Sequence, residues 1–237
     1  MRAKQLTLTC LMAAIGFLLS HAVALAHEGT KQRAEVTSTE RIDFASGGVI
    51  ELRDSYGEVY IEGWDRPEVE ITVTKATRKK YAAADEARGL AKLEGVQVEL
   101  ARGAKGGLLI TTRFPSRAPW RLFKGKTGLD LVYRLRVPQR STLFIKHDAG
   151  DISVTNVRGD IEIDNWYGVV SLKLPEDGRY TIDARSRIGS VSSDFEAKKE
   201  RRLLVGEQVA NDYRRRTAHL LLRVGIGEIA INKLAQE

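Results

Sequence analysis

Glycine recurs every nine residues between positions 150 and 168, and this spacing constrains the fold more than any other feature of the sequence. Residues 147–172 read HDAGDISVTNVRGDIEIDNWYGVVSL, with glycines at Gly150, Gly159 and Gly168. After one further residue, each glycine is followed by two apolar residues at alternate positions, the pattern of a half-buried strand. Glycine suits the tight corners between short strands, because it has no Cβ to restrict the backbone. The pattern predicts that three residues face outward: Ser153, Glu162 and Ser171.

Similar units recur along the chain, and one unit is too small to fold alone. Burying two or three Ile or Val side chains gives about 1.5–3 kcal/mol each, whereas fixing nine backbone residues costs about 1–2 kcal/mol apiece. We therefore predict an all-β, β-solenoid or β-helix-like stack over residues 142–194, with two or more strands per coil. A meandering β-sandwich is the alternative. The other copies of the unit are Gly48–Leu52, Gly57–Ile61, Gly189–Ser192, Gly227–Ile231 and, more loosely, Gly178–Ile182.

The first half of the chain predicts longer strands and one helix. Residues 80–94, KYAAADEARGLAKLE, place Ala83, Ala87, Leu90 and Leu93 on one stripe, which predicts a short amphipathic helix despite Gly89. Residues 115–128 are rich in Pro, Gly and Lys and predict a loop. The predicted strands are Arg41–Phe44, Ile50–Leu52, Val59–Ile61, Val69–Val73, Val96–Leu100, Leu108–Phe114 and Leu129–Val137.

The first 26 residues have the features of a signal peptide. Arg2 and Lys4 precede a mostly apolar run from Leu6 to Leu25, and Ala24-Leu25-Ala26 matches a signal-peptidase site. We therefore predict residues 1–26 as a signal peptide and residues 27–237 as a single exported domain, periplasmic or on the cell surface. An uncleaved membrane anchor is the alternative. Cys10 precedes the apolar core of this run, residues 11–19, which argues against a lipoprotein signal.

The predicted mature chain has no cysteine and a small positive charge. Its 211 residues contain 36 Lys and Arg against 31 Asp and Glu, a net charge of +5. Disulfides are therefore excluded as a source of stability. An excess of this size allows anionic partners without requiring them. No second long apolar run follows, so no transmembrane segment is expected after signal cleavage.

The order of these elements resembles the putative-adhesin family of bacterial β-strand-repeat proteins. The resemblance rests on IELRDSYGEVYIEGWDRPEVEITVTK, on LVYRLRVPQRSTLFIKHDAGDISVTNVRGDIEI and on the closing LLLRVGIGEIAIN, and it covers nearly all of residues 36–237. It implies a β-solenoid-like fold in the bacterial envelope and transfers no catalytic residues. The basic residues 196–216 depart from the family pattern.

Few residues have the spacing that catalysis or metal binding requires. The three histidines of the predicted mature chain, His27, His147 and His219, are too far apart to share one strand or helix face. We expect His147-Asp148 to be polar residues at a strand end rather than half of a proton relay. No catalytic residue, cofactor or metal site is predicted. The parallel β-helix folds of polysaccharide-active enzymes leave one catalytic alternative, with carboxylates aligned on an outer face: Asp151, Asp160 and Glu162.

Aromatic residues at turns are the first binding candidates. Trp64, Trp166 and Tyr167 lie next to predicted corners, where exposed rings can stack on sugars or contact a partner. The alternative is that each ring folds over the end of its own strand stack. The resemblance to the putative-adhesin family favours this alternative for Trp64.

Basic runs are the second binding candidates. Arginine pairs with phosphate and carboxylate through two parallel hydrogen bonds, so an anionic envelope polymer, a lipid headgroup or an envelope protein is a predicted partner. Solvated loops are the alternative. Nucleic acid is not expected, because the sequence has no base-reading motif. The main candidates are Lys198, Lys199, Arg201, Arg202, Arg214, Arg215 and Arg216; a second group comprises Lys75, Arg78, Lys79 and Lys80.

These features together predict an exported, non-catalytic structural or adhesion-type binding module of the bacterial envelope. Two alternatives belong to other classes. One is a polysaccharide-active β-helix enzyme, and the other is a regulatory periplasmic protein that binds a membrane partner.

Overall fold

A computed structural model describes residues 31–103, 106–114, 128–201, 206–211 and 217–234. This part of the chain is all-β, with two mixed sheets and one short α-helix. The strands are β1 Gln32–Asp43, β2 Val49–Tyr56, β3 Glu58–Trp64, β4 Glu68–Tyr81, β5 Gln97–Arg102, β6 Leu108–Arg113, β7 Leu129–Pro138, β8 Thr142–Ala149, β9 Ile152–Thr155, β10 Ile161–Tyr167, β11 Val170–Leu174, β12 Tyr180–Ile188, β13 Val191–Ser193, β14 Lys198–Arg201, β15 Glu207–Ala210, β16 Ala218–Ile226 and β17 Ile229–Lys233; a 3₁₀ turn, Ala83–Asp85, precedes α1 Glu86–Glu94.

Five pairs of consecutive strands form a parallel stack. In each pair, which we call a rung, a glycine joins a strand of the nine-stranded sheet to a strand of the eight-stranded sheet. Neighbouring rungs are hydrogen-bonded in parallel in both sheets. In chain order, rungs 1–5 are β2–β3, β8–β9, β10–β11, β12–β13 and β16–β17, joined at Gly57, Gly150, Gly168, Gly189 and Gly227.

The rungs do not stack in chain order. The eight-stranded sheet runs β1-β4-β7-β3-β9-β11-β17-β13, and the nine-stranded sheet runs β14-β15-β12-β16-β10-β8-β2-β6-β5. Rung 5 therefore lies between rungs 3 and 4. A simple solenoid would instead lay each coil on the one before it. The predicted faces are confirmed, because Ile161, Ile163 and Val170 are buried in one shared core whereas Glu162 is exposed.

The nine-residue glycine spacing proves to be half of an eighteen-residue repeat. Gly150 and Gly168 occupy equivalent corners with φ of +130° and +131°. A Cβ on Gly150 would lie 1.7 Å from the carbonyl oxygen of Gly57, so both the backbone angle and the space require glycine. Gly159 lies at the opposite turn, between β9 and β10, where a Cβ would meet the carbonyl oxygen of Ser141 at 2.2 Å. Between rungs 2 and 3, the two corners of the coil thus alternate every nine residues.

Further strands cover both ends of the stack, and the outermost of them pair antiparallel. Beyond rung 1, β7, β4 and β1 extend one sheet and β6 and β5 extend the other, while the β15–β14 pair flanks rung 4. The edge strand β1 has Glu40 opposite the buried Ile71, and this charged residue disfavours pairing with another chain at the edge.

The helix begins later than the sequence predicts, and its glycine has a packing role. Residues 80 and 81 belong to β4, and Ala83 and Ala87 are exposed, so the predicted stripe is wrong at its first two positions. Leu93 and Gly89 are buried. A Cβ on Gly89 would lie 2.7 Å from the Cβ of Ala34 in β1, so glycine permits the close contact between helix and sheet. Within the described ranges, no helix has the length and apolarity that a membrane crossing requires.

Candidate functional site

Exposed apolar side chains collect beside the corner glycines of rungs 3, 5 and 4. Tyr167 pairs with Ile226, and Ile226 pairs with Ile188, each residue directly preceding its corner glycine. Tyr167 is the most exposed of the large apolar residues described, at 58%. We call this region the corner surface. Its members are Trp166, Tyr167, Val169, Ile188 and Ile226, five of the nine exposed large apolar side chains among the described residues.

The position of Trp166 depends on the unexpected place of rung 5. Trp166, Gly225 and Arg187 lie side by side on three neighbouring strands. A Cβ on Gly225 would lie 3.1 Å from Cε3 of the indole, so glycine leaves room for the ring. The guanidinium carbon of Arg187 lies 5.9 Å from the ring centre, within range of a cation–π interaction. The indole is held in this way while remaining 47% exposed.

Trp64 is separate from the corner surface. Its indole nitrogen donates a hydrogen bond to the carbonyl oxygen of Glu68, 2.8 Å away across the β3–β4 turn. Arg66 and Arg136 place their guanidinium carbons 5.1 and 5.9 Å from the ring centre. This half-buried ring is therefore folded onto the connection between β3 and β4.

A groove continues from Tyr167 toward rung 1. It encloses about 500 Å³ between the corner glycines on one side and the ends of β1, β4 and β7 on the other. We call it the corner groove. Tyr56, half-buried against the core, and Tyr167 line it on rungs 1 and 3, with the small side chain of Ala149 between them on rung 2.

Two arginines converge on one carboxylate in the wall of the corner groove. Nε of Arg78 donates to Asp130 across 2.6 Å, and Arg33 forms an ion pair with the same carboxylate. Arg33 is also fixed by a 2.7 Å hydrogen bond to the carbonyl oxygen of Thr77. Burial alone would raise the pKa of Asp130, but the hydrogen bonds from Arg78 and Arg33 outweigh burial and hold the pKa below its usual value. The carboxylate therefore stays ionised and keeps both guanidinium groups in place.

The remaining cations of the second basic group point elsewhere. Lys75 donates to the carbonyl oxygen of Val96 at 2.9 Å. The ammonium of Lys79 lies 5.5 Å from the ring centre of Tyr81. Arg78 is thus the member of this group that lines the groove.

Buried polar side chains support the corner from inside. Each donates to the carbonyl oxygen of a corner glycine in the neighbouring rung: His147 to Gly57 at 2.9 Å, Asn165 to Gly150 at 3.1 Å and Ser186 to Gly227 at 2.7 Å. These bonds satisfy carbonyl groups that the corner turns away from the strand ladder. Sequence reasoning missed this row, and the only local sign of it is a polar residue three positions before three of the glycines.

His147 belongs to this internal support rather than to a reactive centre. Its Nε2 carries the proton, because Gly57 offers only an acceptor, and Nδ1 then accepts from the hydroxyl of Ser55 at 2.7 Å. Burial lowers the pKa of His147 to about 4, although the bond to Gly57 opposes the shift. Ser55 and His147 are 0% and 2% exposed, so no substrate reaches this serine–histidine pair from the solvent.

The three carboxylates of the polysaccharide-active alternative do not lie together. Asp160 precedes β10 and accepts a hydrogen bond from the backbone nitrogen of His219 at 2.7 Å. Asp151 follows the corner glycine at the far end of the rungs and accepts from the backbone nitrogen of Val169 at 2.9 Å. The seven residues of β10 separate these two ends by roughly 20 Å, at about 3.3 Å per residue. The alignment of Asp151 with Asp160 and Glu162 that this alternative requires is therefore absent.

Most of the main basic segment lies outside the described residues. This applies to Arg202, Arg214, Arg215 and Arg216, and for Lys199 and Arg201 the description is limited to the backbone of β14. Lys198 is exposed at the start of β14, in the edge hairpin β14–β15. Within the described ranges, no group of three or more His, Cys, Asp and Glu side chains is arranged to hold a metal ion.

Comparison with solved structures finds bacterial proteins described as putative adhesins or cell adhesion proteins. A putative cell adhesion protein from Clostridium sporogenes superposes with a TM-score of 0.51 at 9% identity, covering 84% of this chain and 99% of that one. A putative adhesin from Parabacteroides distasonis matches with a TM-score of 0.27 at 12% identity, over 67% of this chain and 62% of that one. The first likeness shows a shared fold, in agreement with the resemblance seen in the sequence. No protein-family model matches the chain. No curated protein is significantly similar to it in sequence.

Proposed function

We propose that the chain is an exported, non-catalytic binding module of adhesion type at the bacterial envelope. In this proposal residues 1–26 direct export, and residues 27–237 form one domain whose β-solenoid-like rungs act as a rigid support. The observation that carries the proposal is the alignment of exposed apolar side chains on the corner surface.

The corner surface has the composition of a binding surface. Trp, Tyr and Arg dominate the energetics of protein interfaces, and an exposed cluster of large apolar residues is costly unless a partner covers it. The rungs place Tyr167, Ile226 and Ile188 on adjacent strands about 4.8 Å apart. A rigid scaffold of this kind lowers the entropy that binding would otherwise cost.

One similar structure and the placement of the polar side chains support binding over catalysis. The Clostridium sporogenes protein of the same fold is described as a putative cell adhesion protein. The separation of Asp151 from Asp160 argues against the polysaccharide-active alternative, as does the burial of Ser55 and His147. We therefore favour adhesion over an enzyme function.

Co-sedimentation with isolated membranes and cell-wall sacculi tests this function. We expect the purified chain to be retained, and retention to persist toward about 1 M salt, where the Debye length falls to roughly 3 Å. The double variant Trp166→Ser, Tyr167→Ser should lose retention. Phe144→Ser removes an exposed aromatic from β8, outside the corner surface, and should not.

Three other outcomes would contradict the proposal. Retention that disappears with salt and is unchanged in the double variant would identify the basic segments as an anion-binding surface instead. No retention at all would favour a soluble partner, to be sought by crosslinking, and with it the regulatory alternative. Turnover of an envelope polysaccharide that Asp160→Asn abolishes would establish the enzyme.

A further inference from the structure

We propose that the corner groove binds a neutral carbohydrate chain, with sugar rings stacked on Tyr167 and Tyr56. This inference rests on the proposed binding function and specifies the ligand class and the residues that contact it. Four features of the groove carry it: its two tyrosines, its backbone floor, its fixed hydrogen-bonding groups and its balance of charge.

The two tyrosines frame a slot. Tyr56 pairs with Ala149, and the backbone of Gly150 donates to the carbonyl oxygen of Tyr167 at 2.9 Å, so the tyrosines are two strand spacings apart. At about 4.8 Å per strand, the two side chains emerge roughly 10 Å from each other. Ala149 adds little bulk between them. The floor is formed by the corner glycines, so a ligand can approach the backbone closely.

The hydrogen-bonding groups of the wall are held in place before any ligand arrives. Asp130 fixes Arg33 and Arg78, and Nη2 of Arg78 lies 3.4 Å from the hydroxyl of Tyr56. A guanidinium has five N–H donors, and the bonds of Arg33 to Thr77 and Asp130 leave donors available. Sugar hydroxyls both donate and accept, so they suit a wall in which guanidinium and carboxylate groups alternate. Groups fixed in advance lose little entropy on binding.

The charge of the groove favours a neutral ligand over an anionic one. Its two arginines are outnumbered by four carboxylates, those of Glu35, Glu58, Asp130 and Asp151. An anionic polymer would meet net repulsion here, unlike at the basic segments. A protein partner is also disfavoured at this position, because the centres of protein interfaces are depleted in Asp and Glu. The volume of about 500 Å³ lies within the usual range of small-ligand sites.

Binding of defined oligosaccharides to the purified chain tests the inference. The probes are neutral gluco-, manno- and N-acetylglucosamine oligosaccharides, with heparin as the anionic comparison, measured by calorimetry and by tyrosine fluorescence. At least one neutral probe should bind, and heparin should not compete with it. Tyr167→Ala should weaken that binding about tenfold or more, as expected for the loss of a central aromatic contact. Phe144→Ala removes an exposed aromatic from the middle of β8, away from the corner groove, and should leave the affinity unchanged.

A second variant tests the wall without touching the aromatic residues. Asp130→Asn removes the charge that orders Arg33 and Arg78. It should weaken binding of the same neutral probe, while circular dichroism shows that the chain is still folded. The inference is overturned if no neutral probe binds, or if Tyr167→Ala and Phe144→Ala bind equally well. If the chain is retained on sacculi and neutral oligosaccharides do not displace it, the proposed function stands and only the neutral-carbohydrate ligand is rejected. Absence of both retention and probe binding would remove both.

Discussion

His147 and Asn165 face each other on neighbouring strands and support successive corners of the stack in the same way. The imidazole donates to the carbonyl oxygen of Gly57, and one rung further the amide of Asn165 donates to that of Gly150. An asparagine is therefore a natural substitute at position 147. The difference between the two residues is that only histidine titrates between about pH 4 and pH 7.

Protonation of His147 should make the protein less stable in acid. Its pKa is about 4 in the folded chain, because burial disfavours the cation, against an ordinary value of 6.5. The unfolded chain therefore takes up the proton first, and stability is lost as the pH falls from about 6.5 to 4. The full effect is about 3 kcal/mol. Urea unfolding between pH 7 and pH 4 should show this loss, and His147→Asn should reduce it. The control variant His219→Asn should lose as much stability between pH 7 and pH 4 as the unmodified protein.

Gly150→Ala should destabilise the protein by more than about 3 kcal/mol, since it combines strained φ with a backbone clash. The new Cβ would lie 1.7 Å from the carbonyl oxygen of Gly57. Gly47 also has positive φ, but no atom lies within 4 Å of its Cβ position. Gly47→Ala should therefore cost only about 1–2 kcal/mol. Equal losses of unfolding free energy in urea would mean that the stacked corner does not require glycine for space.

Ile161→Asp should unfold the domain or cost more than about 4 kcal/mol, because it places a charge between Leu143 and Leu220 in the core. Glu162→Lys changes the next residue, which is exposed, and should alter stability by less than about 0.5 kcal/mol. Thermal unfolding followed by circular dichroism measures both. If both variants were silent, the assignment of inward and outward faces would be wrong.

Gly89→Ala should destabilise the protein even though alanine favours helices over glycine by about 1 kcal/mol. The added methyl would lie 2.7 Å from the Cβ of Ala34 and 2.9 Å from the ring of Tyr81, and overpacking of this kind costs about 1–3 kcal/mol. Ala87→Gly, at an exposed site of the same helix, should lose about 1 kcal/mol from propensity alone. A higher melting temperature for Gly89→Ala would contradict the close packing of helix and sheet.

The strands near the corners could be predicted because their signals are local. Alternate apolar residues such as Ile161 and Ile163 specify a buried face whatever the partner strand, and positive φ restricts the corner itself to glycine. The helix was predicted less well. Ala83 and Ala87 fit the helical period but lie beyond the sheet that would cover them, and burial depends on that cover rather than on the period.

The candidate site could be predicted only in part. The adjacency of Trp166 and Tyr167 to a glycine corner marked them from the sequence as turn aromatics. The wall of the corner groove could not be found in this way, because Arg33 and Asp130 are 97 positions apart and no local pattern links them. The polysaccharide-active alternative required Asp151 to lie beside Asp160. Local spacing could not test this, because the chain turns through a corner and crosses the stack between the two residues.

The sequence by itself determined the all-β class, the glycine corners and the side of each strand that faces the core, since these follow from backbone sterics and the two-residue period of a strand. Only the tertiary structure decided the order of the rungs, because strand pairing is chosen by contacts between distant segments. Rung 5 has a β-branched apolar residue two positions after its corner glycine, as both of its neighbours have, and this local pattern does not specify the partner strand. Its position between rungs 3 and 4 brings Gly225 beside Trp166 and Ile226 beside Tyr167, and so creates the corner surface.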